Sequence, residues 1–526
     1  MKLFSADNRT KKSTINASAE IVGQLTNIIL SFVSRTVFIH TLGSAYLGIN
    51  GLFADILRML SLTEMGLDTA INFKLYKPLA EKDTQRLQIL MKFYATAYRI
   101  IAAVFVVLGI CIIPFLPFLI KDYDTLPDLN INATLIFLLY IAQSASSYLF
   151  SASKAAIIKA DQKMYITTII GTIVNIFKNL AQILILIVFN NFTAYTAITI
   201  VFVIVQNIII AVIAKKMYPI VFRYTEKRIS KAEVKDTIKD LGALFVYKVN
   251  SVVIKATDNL VLSSFIGLVT VGLYSNYLLI YSAISVTLSK IYSSVKASMG
   301  NLFATESLEK QYSFFEFSNF ISVIIFGTAC IGMTVCCNDV ISLWLGSEYI
   351  IAQPLPLLIG IELFFAGIKL NLGQIRTVTG LYRQMWFRPI IGIIINIVVS
   401  ISLVFKFKIY GVIFGTIASD FFANFLIDPK VIHHSYFKDM VPVAEYYKKN
   451  AKYFLLVAFV GAADYLLCSL INTPYTVINL ILHFIICACS FPGICLLIYK
   501  NAEENKYLFR IIKKILSKKH KAKKGE

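Results

Sequence analysis

From residue 17 to residue 500 the chain alternates long apolar runs with short polar breaks. A bilayer core about 30 Å thick is crossed by roughly 20 residues of helix. The runs therefore predict fourteen membrane-spanning helices, at about 17–40, 46–72, 94–120, 131–155, 165–190, 193–214, 241–266, 271–297, 315–337, 352–377, 386–405, 410–428, 451–471 and 475–499. The expected fold is an all-α integral membrane protein. Polar residues interrupt several runs at helical spacing. In the first span Gln24, Asn27, Ser31, Ser34 and Arg35 fall on one face, and in the seventh Lys248, Ser251, Lys255, Asp258 and Asn259 do the same.

Those two stripes belong to an internal repeat. IIGTIVNIFKN begins at Ile169 and IIGIIINIVVS at Ile390, sharing the frame IIGxIxNI at a separation of 221 residues. Gly43 and Gly48, around the first turn, align with Gly267 and Gly272 at a separation of 224. Six spans separate the copies, so both enter the membrane in the same direction and the halves are parallel repeats about an axis along the membrane normal. The expected organisation is a six-helix bundle over 1–235, a second over 236–440, two extra spans over 441–500 and a basic amphipathic tail over 501–526, with a cleft between the bundles.

Composition agrees: 57% of residues are hydrophobic, mean hydropathy is +0.71, and 15% are charged against roughly 25% in a soluble domain. The net charge of +21 resides in alternate loops and on no soluble face, which argues against nucleic acid as a partner. HTLGSAYLG, NNFTA, IGLVTVG and INTPY lack Lys and Arg, whereas KKMYPIVFRYTEKRISKAEVKDTIKD and residues 430–452 are rich in them. The positive-inside rule then places both termini in the cytoplasm, with Lys406 and Lys408 as the exception. The first span is expected to act as its own insertion signal. The eight cysteines lie in or beside apolar runs without metal or redox spacing and read as small core residues. The tail, with Leu508, Ile511, Ile512 and Ile515 on one side and lysines around the rest, is expected to lie on anionic lipid.

Ions inside the spans carry the functional signal. Counting 1.5 Å per residue from the outside turns places Arg35 at roughly 9 Å depth, Asp55 and Asp258 at about 14 Å, and Arg58 and Lys255 at about 18 Å. Arg35 and Asp55 come within reach of each other. Lys178 shares a face with Asn175, Asn179 and Gln182 near the midplane; Glu362 and Lys369 share another; Asp420 is also at mid-depth. One charged residue at the bilayer centre costs roughly 2.5–3.5 kcal/mol, so this many facing lipid would compromise insertion. They are expected to line a watery cavity, or to form internal pairs such as Arg35–Asp55 and Lys255–Asp258. The cations Arg35, Arg58, Lys178, Lys255 and Lys369 come from five spans and point to an anionic ligand, while Lys154, Lys159, Lys290 and Lys296 lie near the ends and read as snorkelling residues. The chain has no GxxxxGK[ST], no HExxH, and no nucleophile marked by a neighbouring base. No resident cofactor or metal is expected. The residues read as a non-enzymatic, secondary-type transporter of an anionic amphiphile.

RTVFIHTLGSAYLGINGLF, followed by LYKPLAEKD, resembles the N-terminal helices of bacterial polysaccharide repeat-unit flippases, the Wzx-type transporters of the multidrug/oligosaccharidyl-lipid/polysaccharide exporter superfamily. The resemblance extends over the whole chain. It implies two six-helix bundles around a central cleft in a MATE-like fold, in the bacterial cytoplasmic membrane. It also implies an undecaprenyl-pyrophosphate-linked oligosaccharide substrate, carried to the outer leaflet for capsule, O-antigen or exopolysaccharide, with other polysaccharide-assembly proteins as partners. The cations would meet the diphosphate, and Asn27, Asn175, Gln182 and Ser251 the sugar hydroxyls. Ion coupling in the family makes Asp55, Asp258, Glu362 and Asp420 candidates for a H⁺ or Na⁺ site. Two competing functions remain open, a multidrug exporter on the same fold and a membrane-embedded polysaccharide polymerase or ligase.

Overall fold

The protein is described by a computed structural model covering residues 6–61, 67–121, 123–150, 152–223, parts of 225–234, 252–254, 256–293, 296–471, 473, 476–510 and 513. All regular structure among them is helical. Contacts group the chain into two compact units, Met1–Gly272 and Leu273–Glu526. The boundary expected near residue 235 falls on residues outside those described.

The first unit contains α1 (Ala6–Leu42), α2 (Ser44–Leu60), α3 (Leu67–Glu81), α4 (Thr84–Ile112), α5 (Ala133–Phe150), α6 (Ala152–Ala160), α7 (Met164–Phe189), α8 (Phe192–Met217) and a helical stretch α9 at 256–265. From Leu268 the chain continues through α10 (Leu268–Ser293), α11 (Lys296–Thr305), α12 (Leu308–Trp344), α13 (Leu355–Thr379), α14 (Arg388–Phe407), α15 (Ile409–Ser419), α16 (Asp428–Ser435), α17 (Val443–Leu470) and α18 (Thr476–Ile498). Twelve helices among the described residues are long and apolar enough to cross a membrane, and each coincides with one of the fourteen predicted spans. The other two, at 46–72 and 241–266, include residues outside those described. The chain is a multi-pass membrane protein.

Apolar residues face both inward and outward, as the bilayer requires. Phe53, Phe105 and Phe137 are fully buried in the first unit and Phe315, Phe320 and Phe326 in the second, while Leu184, Phe189, Phe405 and Leu470 stand exposed. Six of the eight cysteines are buried core residues, all without disulfides; Cys111 and Cys489 are exposed on apolar surface instead. Only the beginning of the basic tail is described, as helix over 503–510.

The aligned glycines of the repeat are the point where the helices beginning at Ser44 and Leu268 meet. Gly43 and Gly267 precede these helices at φ of 93° and 125°, a region that side-chain-bearing residues rarely adopt. One turn later the two helices touch backbone to backbone: a Cβ on Gly48 would overlap the carbonyl of Leu268, and one on Gly272 the carbonyl of Ser44. The reciprocity follows from the repeat, and small residues permit such approach. Gly48→Val is therefore expected to separate the helices and cost about 1–3 kcal/mol. A lower thermal midpoint of the purified protein checks this, and an unchanged midpoint contradicts it.

α1 and α7 are joined by an amide ladder. Asn175 Nδ2 donates to Asn27 Oδ1 at 2.7 Å, Asn179 Nδ2 to Asn175 Oδ1 at 3.1 Å, and Ser34 Oγ to Asn179 Oδ1 at 2.6 Å. Interhelical hydrogen bonds in membranes average about 0.6 kcal/mol. Asn175→Ala, which breaks the one bond of the ladder that it makes to α1 and a second within α7, is expected to cost about 0.6 kcal/mol on that scale, readable as a small downward shift in thermal midpoint.

Candidate functional site

The first unit positions its candidate ions on α1, α2, α7 and α9. On α2 the Asp55 carboxylate accepts from Arg58 Nη1, one turn along the same helix, and from Asn259 Nδ2 of α9. The side chain of Asp55 is 6% exposed and that of Arg58 52%. The carboxylate lies within the packing while the guanidinium, tethered to it, reaches open space. Arg35 on α1 is half-buried beside Tyr195 of α8. Lys178 on α7 is half-buried, and no acidic side chain pairs with it among the described residues.

The second unit repeats this motif with different residues. Lys369 on α13 pairs with both oxygens of Asp420 at 2.8 and 2.9 Å, and Asn424 Nδ2 donates to Asp420 Oδ1 at 2.7 Å. Exposure divides the same way, 44% for the lysine side chain and 4% for the aspartate. Tyr281 on α10 hydrogen-bonds to Glu362 and lies within electrostatic reach of Asp420, so both buried carboxylates converge on one phenol. Asp420 opens a π-helical stretch, Asp420–Ile427, between α15 and α16. Such wide turns are rare and concentrate at functional sites.

Each unit thus presents an exposed cation on a buried aspartate that also accepts from an asparagine amide. Fixing the carboxylate by two donors holds the cation without long-range rearrangement. The outward-facing guanidinium or ammonium keeps donors for a second anion, and arginine suits phosphate because two of its N–H groups can bond in parallel.

Asn27, Asn175 and Gln182 bond within the protein, the first two in the ladder and Gln182 Nε2 to Thr199 Oγ1 at 2.8 Å. Asp258 is buried on α9 and has an interaction of its own. Lys255 and Ser251 lie outside the described residues, so the expected Lys255–Asp258 pair does as well. Depth counting singled out Arg35 for Asp55 and did not name the ion-pair partner on its own helix, Arg58.

Sequence reasoning left out Asn424, Tyr281 and a second buried ionic cluster. Asn424 carried a signal, since it follows Asp420 by four residues. The cluster is Asp428, fully buried on α16, accepting from Arg376 Nη1 at 3.0 Å and Arg388 Nε at 3.1 Å. Unlike the two exposed cations, both arginine side chains are largely enclosed, at 12% and 5% exposure. An apolar cavity of about 650 Å³ on the second unit, lined by Leu357, Phe364, Phe365, Phe454 and Tyr465 among others, includes none of the candidate ions.

No family model and no curated protein matches the chain. Solved structures do. The inward closed conformation of the lipid II flippase MurJ superposes with a TM-score of 0.64 at 15% identity, covering 93% of this chain and 99% of that one. An inward-facing multidrug resistance MATE family transporter of the MOP superfamily gives 0.58 at 14% identity over 81% and 99%. A Vibrio cholerae MATE transporter gives 0.54 at 12% identity over 81% and 98%. The chain has the all-helical fold shared by MurJ and the MATE transporters.

Proposed function

We propose that the protein is a flippase that carries undecaprenyl-pyrophosphate-linked oligosaccharide repeat units from the inner to the outer leaflet of the bacterial cytoplasmic membrane, by alternating access, for capsule, O-antigen or exopolysaccharide assembly. The observation that carries this reading is the pair of exposed cations seated on buried aspartates, Arg58 on Asp55 and Lys369 on Asp420. The lipid II flippase among the structural neighbours handles a lipid-linked substrate and supports it. Arg58 and Lys369 are assigned to the diphosphate, together with Lys178, Arg35 and Lys255.

The sugar head is assigned to Asn27, Asn175, Gln182 and Ser251, whose remaining hydrogen-bonding capacity suits hydroxyls. When the diphosphate draws a cation away, its aspartate loses a counter-charge. Asp55, Asp258, Glu362 and Asp420 are therefore assigned to the H⁺ or Na⁺ that drives return. Other polysaccharide-assembly proteins would receive the product. The exposure pattern disfavours a multidrug exporter for organic cations, because the carboxylates are enclosed while the cations are accessible.

The test is transport in proteoliposomes of a polyprenyl-diphosphate oligosaccharide, read by accessibility to an external lectin. Protein-dependent translocation that a lipophilic cation does not compete supports the proposal. Export of the cation with no movement of the glycan would refute it.

A further inference from the structure

Three cations outside the candidate site converge at one end of the first unit. Arg99 immediately precedes the ion-free run 100–120, Lys154 follows the ion-free run 133–153, and Lys215 closes the ion-free run 192–214. Each is thus the first ion met on leaving the apolar core, and all three leave it at the same, Lys/Arg-rich end. Their helices pack together, α4 against α5 and α6, and α6 against α8. Lys154 lies within repulsive electrostatic reach of both Lys215 and Arg99. Sequence position alone reads Lys154 as a snorkelling side chain; packing brings it together with Arg99 and Lys215.

Neighbouring cations have partners. Lys163 pairs with Asp161 at 2.6 Å and Arg86 with Glu233. For Arg99, Lys154 and Lys215 no carboxylate partner occurs among the described residues; Lys154 Nζ donates only to the carbonyl of Phe150 at 2.8 Å. Arg99 and Lys215 are exposed. Within about one turn of each cation, toward the membrane core, lies an exposed apolar side chain: Val104 after Arg99, Phe150 before Lys154 and Val212 before Lys215. Three clustered cations at the end of an apolar face, Lys154 within repulsive reach of the other two, suit a ligand with a negative head and a hydrocarbon body.

We infer that Arg99, Lys154 and Lys215 form a binding site for the phosphate headgroup of a lipid in the leaflet at this end of the first unit, with its chains along Val104, Phe150 and Val212. By the charge distribution of the loops this is the cytoplasmic leaflet. The site is separate from the ions assigned to transport and does not depend on that assignment.

The experiment is native mass spectrometry of the full-length, detergent-purified protein titrated in parallel with phosphatidylglycerol, phosphatidylcholine, undecaprenyl phosphate and inorganic phosphate. Binding of either anionic lipid in preference to phosphatidylcholine is expected, and the order of the two identifies the source of the headgroup. Each surface cation contributes about fivefold, so Arg99→Gln/Lys154→Gln/Lys215→Gln is expected to lose about 100-fold in affinity, and Lys215→Gln alone about fivefold. Lys163→Gln, which removes a cation already paired with Asp161, is expected to leave binding unchanged. Binding of neither anionic lipid in preference to phosphatidylcholine would overturn the inference. So would an unchanged affinity in the triple variant, or complete displacement of lipid by millimolar inorganic phosphate. A melting midpoint equal to that of the parent protein confirms that each variant is folded.

Discussion

The paired variant Asp55→Asn/Arg58→Gln is expected to accumulate in the membrane at the normal level and to lose transport by about 10- to 100-fold, the worth of charge-assisted hydrogen bonds to an anion. Neutralising both partners matters. Arg58→Ala alone leaves Asp55, with a side chain 6% exposed, without its counter-ion, and the protein could be lost for that reason alone. The paired change removes that penalty, keeps a side chain for Asn259 to bond, and deletes the exposed guanidinium. Asp420→Asn/Lys369→Gln is the matching experiment in the second unit, where Asn424 plays the part of Asn259. Membrane protein level by immunoblot and translocation in proteoliposomes are measured together. Normal transport by both paired variants would make these ions structural.

Asp428→Ala is expected to produce the opposite pattern, little or no folded protein. Its carboxylate is fully buried and holds Arg376 and Arg388, themselves nearly enclosed. Removing it leaves two buried guanidiniums facing each other, at a cost of about 3–5 kcal/mol. Replacing all three by apolar residues of similar volume, Asp428→Leu/Arg376→Met/Arg388→Met, restores folding, since a buried ionic cluster gains little over a packed apolar one. The readout is the fraction of monodisperse protein after detergent extraction. Full recovery of Asp428→Ala would show that water reaches the cluster. The difference between the two clusters is exposure: the cations on Asp55 and Asp420 reach open space, and those on Asp428 do not.

The helices were legible because a membrane span writes itself into one apolar run, and the twelve that the structure describes as long and apolar enough fall where the runs predict. The repeat was legible in its glycines: the alignment of Gly43 and Gly48 with Gly267 and Gly272 corresponds to two positive-φ turns and one reciprocal backbone contact. Ions inside a span stand out in the sequence, because charge there is costly and conspicuous. Their partners do not. Counting residues gives depth but not azimuth, and the i,i+3 pair of Asp55 and Arg58 on one helix was overlooked. The amides of Asn27 and Asn175 read as a polar face, and only the packing of α1 on α7 shows that they bond to each other. The π-helical stretch Asp420–Ile427, only eight residues long, leaves no periodic signature in the sequence. The link between Asp428 and Arg388, 40 residues apart, is purely tertiary.

The most direct measurement is the leaflet on which lipid-linked oligosaccharide accumulates in cells lacking the gene. Retention on the inner leaflet, shielded from an external lectin in intact spheroplasts and reached only after permeabilisation, is the expected result. Accumulation on the outer leaflet, at the level of cells that keep the gene or above it, would contradict a role in translocation.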